Sequence, residues 1–136
     1  MLEGEPASRF MRRDVVTVPA NSTVEDLVDE YIYRHHFKMF PVVDKGDLVG
    51  CVSLKQVRDI PRERWRQETV GSLAAECNDD NSITADADSM QALAKMRKSG
   101  NSRLLVLGPH HELEGILSLK DLLEFFQLKT ELEGRA

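Results

Sequence analysis

Apolar residues along this chain switch between the spacing of a strand and the spacing of a helix, and the same order of switches occurs twice. Residues 7–12 make one short helical turn carrying Phe10 and Met11. Val15-Val16-Thr17-Val18 is β-branched and strand-like, and Pro19 closes it. Val24, Leu27, Val28 and Tyr31 then recur on one helix face, and Ser22 with Glu25 forms a capping box ahead of them, which predicts a helix to about residue 34. Residues 39–44 read as a strand, Lys45-Gly46-Asp47 as a hairpin turn and 48–52 as the returning strand. Pro41 places the first of these at an edge or beside a bulge. A short helix over 54–59 ends at Pro61.

The second half repeats that order. Residues 70–75 form a helical turn and 81–85 a weak strand. Asp88 with Gln91 starts a helix carrying Met90, Leu93, Ala94 and Met96, which Gly100 stops. Residues 103–107 and 113–117 are paired strands around a turn at 108–112, and a last helix runs from 119 to about 131. Its inward face is predicted to be Leu119, Leu122, Leu123 and Phe126; Phe125, Leu128 and Leu132 make a second apolar stripe. The fold class is therefore α/β (α+β), two tandem β-α-β-β-α repeats packed with pseudo-two-fold symmetry. The expected boundaries are a flexible leader at 1–6, a first repeat at 7–60, a charged linker at 61–69 and a second repeat at 70–136. Trp65 in the linker packs back on one repeat or meets a partner.

The repetition is sharpest where a strand meets a helix. Gly50-Cys51-Val52-Ser53-Leu54-Lys55-Gln56-Val57 is answered by Gly115-Ile116-Leu117-Ser118-Leu119-Lys120-Asp121-Leu122. Ser118 falls at the N-cap and Asp121 at the third helical position. First-turn N–H groups lack partners inside the helix and carry the positive end of its dipole, so such a join suits phosphate or hydroxyl-rich ligands. In the first copy Ser53 and Gln56 also fit a capping box literally, and capping alone competes with binding there. Asp121 is the better ligand candidate, because a carboxylate accepts hydrogen bonds from both hydroxyls of a diol.

Charge and composition narrow the function. With 136 residues the chain makes one domain or two small units sharing a core, and a net charge of −5 argues against a nucleic-acid polymer as partner. Cys51 and Cys77 lack CxxC spacing and read as reduced thiols, in keeping with a cytoplasmic setting. No run is long enough for a membrane span, and the N-terminus has no signal peptide's apolar core. His35-His36 and His110-His111 are adjacent pairs, which cannot offer both rings from one helix face, so no metal site is expected. Neither a nucleophile with its base nor a carboxylate pair can be assembled, and no catalytic residue is assigned.

Taken together, Phe40-Pro41-Val42-Val43-Asp44 with Gly50-x-Val52-Ser53, and Arg103-Leu104-Leu105-Val106 with Gly115-x-Leu117-Ser118-x-x-Asp121, resemble the tandem CBS domain, or Bateman module, over about residues 7–126. The chain departs from that family's pattern at Leu105, where proline is usual, and at Gly108 and Gln56, where aspartate is. Val28-Asp29-Glu30-Tyr31-Ile32 and the segment from Val57 through Trp65 further resemble the CBS pair appended to intramembrane zinc metalloproteases of the site-2 protease family, whose HExxH motif is absent here.

The resemblance implies a regulatory ligand containing adenosine (AMP, ADP, ATP or S-adenosylmethionine), bound in clefts between the copies. Asp121 would hold the ribose hydroxyls, Ser118 a hydroxyl or phosphate, and Arg103 a phosphate through its planar fork of donors. Ile83 and Thr84 would line the adenine slot. Plainer readings compete: Arg103 as a solvated strand-end charge, Ile83 as core. A weaker second site would use Ser53, Gln56 and Lys38, with Met39 standing where Arg103 stands in the second copy. Two function classes follow from the resemblance. One is a sensor whose occupancy changes the angle between copies and so an attached protein, a membrane protease in cis. The other is a ligand-free homodimerisation module, to which the Phe125, Leu128 and Leu132 stripe would contribute.

Overall fold

The computed structural model describes residues 4–133. Residues 1–3 of the expected leader and the last three residues of the second repeat lie outside the described residues. The described residues fold as two compact units, residues 16–77 and residues 78–133 together with 4–15. These units are not the repeats read along the chain, because each takes its leading segment from across the repeat boundary.

The 16–77 unit holds β1 (Val18–Pro19), α1 (Val24–Asp26), a π-helical stretch (Leu27–Ile32), α2 (Tyr33–His35), β2 (Met39–Asp44), β3 (Asp47–Ser53), α3 (Leu54–Arg58) and α4 (Val70–Leu73). Its sheet has the order β1-β2-β3, with β1 parallel and β3 antiparallel to β2. β1 is shorter than the predicted 15–18 strand and begins at its last residue. It meets only Val42 and Val43, while Arg12 already pairs with Ile116 in the other unit. The first helix starts one residue later than the Ser22 capping box predicts. Thr23 is held extended by its bridge to Thr69, and its Oγ1 accepts from the Asp26 N–H at 3.1 Å. Pro41 sits in the central strand rather than at an edge, next to the bulge at Val42 and Val43. Its partner Cys51 exchanges both backbone hydrogen bonds with Ala75 at 2.9 Å, so β3 asks for no donor at position 41.

That Ala75 contact brings the 75–76 backbone so close to β3 that a Cβ on Gly50 would land on the Ala75 carbonyl oxygen. Phe40, Leu27, Val18, Val24, Val42, Val52 and Val70 are fully buried at the centre of the unit. Trp65 packs against that core and donates its indole N–H to the Ile60 carbonyl at 3.0 Å, as the packing-back reading of the linker expects.

The other unit holds a 3-10 turn (Ala7–Arg9), β4 (Ser82–Thr84), α5 (Ser89–Ser99), β5 (Arg103–Leu107), β6 (Leu113–Ser118) and α6 (Leu119–Glu133), with sheet order β4-β5-β6. Residues 4–6, expected as part of a flexible leader, are tied down. The Gly4 N–H meets the Asp88 carboxylate at 2.9 Å, and the Glu5 carbonyl accepts from both the N–H and the hydroxyl of Ser89. This satisfies donors at the start of α5 that would otherwise be unpaired. The faces of α6 also differ from expectation. Leu122 is fully buried and the Phe125 ring lies 4.5 Å from Phe10, whereas Leu123 and Phe126, assigned inward by spacing, are 49% and 41% exposed. The core is closed from the N-terminal side by Phe10 and Met11, which draws Phe125 rather than Phe126 inward. Of the Phe125, Leu128 and Leu132 stripe, only the latter two remain open.

Candidate ligand site at the start of the last helix

The site is built by the end of a hairpin and the helix that follows it. Arg103 and Ser118 are register partners at one end of the β5–β6 pair, so the strand pairing sets a guanidinium-bearing residue beside a hydroxyl. The chain then turns directly into α6. Leu119 N–H bonds the Ser102 carbonyl at 2.8 Å, and Asp121 N–H bonds Ser118 Oγ at 3.1 Å. Because Ser118 Oγ accepts from Asp121, its own proton is left for another acceptor. Arg103 gives one Nη1 hydrogen bond to Ser102 Oγ at 3.0 Å and keeps most of its donor fork in reserve. Asp121 is half-buried, and its carboxylate meets no hydrogen-bond donor or cation among the described residues.

A cleft of about 410 Å³ opens here, lined by Ser102, Arg103, Ser118, Lys120, Glu124 and Gln127 together with Leu119 and Leu123. Arg103 and Ser118 are thus brought together as the sequence reading has it. Asp121 follows Lys120 round the helix, about 100° on, and does not line the cleft. Four of the polar residues lining it were missed from the sequence. Lys120, Glu124 and Gln127 recur at i, i+4 and i+7, and Ser102 precedes Arg103; that spacing was the available signal.

Ile83 and Thr84 are elsewhere in the unit. They pair with Val106 and Leu107, three and four residues along β5 from Arg103, which is about 10–13 Å at the strand rise. Ile83 belongs to the core, and both residues border a separate depression of about 480 Å³ shared with Gln91, Lys95 and His111. Lys95 there donates to the Ser82 carbonyl at 2.8 Å.

The first copy repeats the frame with different contents. Leu54 N–H bonds the Lys38 carbonyl at 3.1 Å, as Leu119 bonds Ser102, and Met39 pairs with Ser53 as Arg103 pairs with Ser118. Met39 is buried and the Lys38 side chain is exposed. Gln56 Oε1 accepts from the Ser53 N–H at 2.7 Å and from its hydroxyl at 3.3 Å, while Gln56 Nε2 donates to the Leu73 carbonyl at 2.7 Å. These polar groups are engaged with one another and with α4.

The CBS domain model matches this chain twice, at residues 7–63 and 74–128. An uncharacterised protein of Methanocaldococcus jannaschii is 34% identical over 116 residues, covering 85% of this chain and 42% of that protein. A zinc metalloprotease of the same organism is 25% identical over 130 residues, covering 93% of this chain and 34% of the protease. The chain therefore spans less than half the length of these curated relatives. Among solved structures, that of CBSX2 in complex with AMP superposes with a TM-score of 0.80 at 21% identity, covering 93% of this chain and 100% of the other.

Proposed function

This chain belongs to the CBS domain family as a tandem pair, and on that premise we propose that it is a regulatory module binding an adenosine-containing ligand to control an attached protein. The observation that carries the reading is the junction at α6, where Arg103 and Ser118 are register partners in one cleft and the Asp121 carboxylate is unengaged nearby. Arg103 takes a phosphate in the cleft by charge-assisted hydrogen bonds, Ser118 donates its remaining proton there, and the ribose extends beyond the cleft lining so that its two hydroxyls donate to Asp121. The AMP held by the CBSX2 structure supports an adenine nucleotide; ADP, ATP and S-adenosylmethionine are the other members of the class. One site is expected rather than two, since Gln56 has no carboxylate and its amide is already bonded on both sides. Ile83 and Thr84 take part only as the lining of their own depression.

The attached protein in this reading is a membrane-embedded zinc metalloprotease, supported by the likeness to the M. jannaschii protease, with the module on the cytoplasmic side. Among the described residues no helix is long and apolar enough to cross a membrane. The ligand acts by binding one conformation of the module more tightly than another, which shifts the population the protease meets.

Thermal unfolding with AMP, ADP, ATP, S-adenosylmethionine and GTP, run beside Asp121→Ala, tests this. A ligand at a hundred times its dissociation constant adds about 2.7 kcal/mol, which for a chain of this size is a rise of several degrees. The expected result is a rise for an adenosine compound in the wild type, absent in Asp121→Ala. No rise with any compound at millimolar concentration overturns the sensor reading in favour of ligand-free self-association, which the exposed Leu123 and Phe126 of α6 favour.

A further inference from the structure

β4 is the edge strand of its sheet, and the depression of about 480 Å³ runs along its open side against α5. Leu105 N–H bonds the Asn81 carbonyl and Ala85 N–H the Leu107 carbonyl, so Asn81 and Ala85 face β5 while Ser82 and Thr84 turn their backbone groups to the open edge. There the Ser82 N–H is taken by the Asn78 carbonyl, and the Ser82 carbonyl by Lys95 Nζ at 2.8 Å. The Thr84 carbonyl accepts from the Ala87 N–H, which leaves the Thr84 N–H on that edge. The buried Ile83 and Leu107, with Ala94, supply the apolar lining.

Opposite charges stand at the Ser82 end. Lys95 keeps two ammonium protons beyond its bond to Ser82, and Asp79 lies at the entry to β4, three residues before Ser82. Both line the depression, yet neither enters an ion pair among the described residues. At the other end are Thr84, two residues along the strand, and Gln91, one turn back along α5, each about 6 Å on. Their side chains make no hydrogen bond among the described residues. We infer that this depression binds a free α-amino acid with an unbranched, amide-tipped side chain. A cation and an anion held apart at one end fit a zwitterion, whose carboxylate accepts from Lys95 while its ammonium donates to Asp79. The methylene stem lies over Ile83, Ala94 and Leu107, and the tip meets Gln91 and Thr84 at about the reach of a glutamine side chain. A plain anion would be repelled by Asp79, and a plain cation by Lys95. The depression shares no lining residue with the cleft at α6, so this site is separate from the one proposed for the nucleotide.

Titration calorimetry of the whole chain with glutamine, glutaramate and γ-aminobutyramide tests it; the second compound lacks the α-ammonium and the third the carboxylate. The expected result is saturation by glutamine below about 10 mM, with each truncated compound roughly ten-fold weaker or more. Lys95→Met and Asp79→Asn should each weaken glutamine by about ten-fold or more, whereas Arg103→Ala and Asp121→Ala should leave it unchanged. Asp79 is an exposed turn residue, so its substitution tests the site with the fold intact even where Lys95→Met, which also loses the tie to Ser82, does not. No saturable heat from glutamine overturns the proposal. So does a truncated compound that binds as well as glutamine, or a loss of binding in Arg103→Ala rather than in Asp79→Asn, because the ligand then lies in the cleft at α6.

Discussion

Cys51 shows how much of one residue's chemistry is set by where its backbone is tied. Its N–H and C=O are both taken by Ala75, which draws the 75–77 segment over β3 and buries the thiol. Burial, and then the nearby Cys77, push the Cys51 thiol from 9.0 up to about 11; burial also raises Cys77. Below pH 9 the thiol is neutral in both folded and unfolded chains and contributes no pH dependence. Between 9 and 11 the unfolded thiol loses its proton while the folded one keeps it, so stability falls across that window, by on the order of 2 kcal/mol. Urea unfolding from pH 8 to 11 should show the decline in the wild type and a smaller one in Cys51→Ala. An equal decline in both would place its origin in other groups. The sequence identified this residue as a reduced thiol, but the segment that buries it is distant in the chain and carries no spacing that announces the contact.

At the scale of elements, the two strand-to-helix joins were the most legible feature of the sequence and show where legibility stops. Ser53 and Gln56 read as a capping box, and they form one. What the sequence did not show is that the same Gln56 amide reaches the Leu73 carbonyl at the end of α4 and fastens that helix to α3. Gln56→Ala should therefore cost more than a cap alone, about 1–2 kcal/mol of stability, since the cap is lost together with a half-buried hydrogen bond. Restoring only the cap, with Gln56→Glu, should recover part of it, because a carboxylate cannot donate to Leu73; full recovery in a denaturant titration would remove the α3–α4 tie from the account. The helix faces were harder to read. Leu119, Leu122, Leu123 and Phe126 satisfy the spacing of an inward face, yet α6 is rotated so that Phe125 meets Phe10. Spacing gives the width of an apolar stripe, and only the packing partner selects the stripe that is buried.

For the whole molecule, the decisive fact is that residues 4–12 complete the unit that holds residues 78–133. Ala7, Phe10 and Met11 are buried in the core of Leu104, Leu117 and Leu122, and Arg12 exchanges hydrogen bonds with Ile116 at 2.8 and 3.0 Å. Phe10→Ala should thus destabilise by about 3–5 kcal/mol, with the loss felt more than sixty residues away. Hydrogen exchange should show protection falling in β5, β6 and α6 more than in β2 and β3; equal loss in both sheets would mean that the two units unfold as one.

The sequence by itself determined the elements, their order and their duplication, because each rests on local chemistry: alternating β-branched residues, caps, turns and helical spacing all act within a few positions. From those came the family and the β5–β6 hairpin, whereas its register, with Arg103 opposite Ser118 rather than Leu117, was set by the bulge at Val106 and Leu107. Tertiary structure alone decided which segments share a core, which side of α6 is open and where Ile83 and Thr84 sit relative to Arg103. These depend on contacts between residues far apart in the chain, where many arrangements satisfy the same hydrophobic pattern and only close packing distinguishes among them.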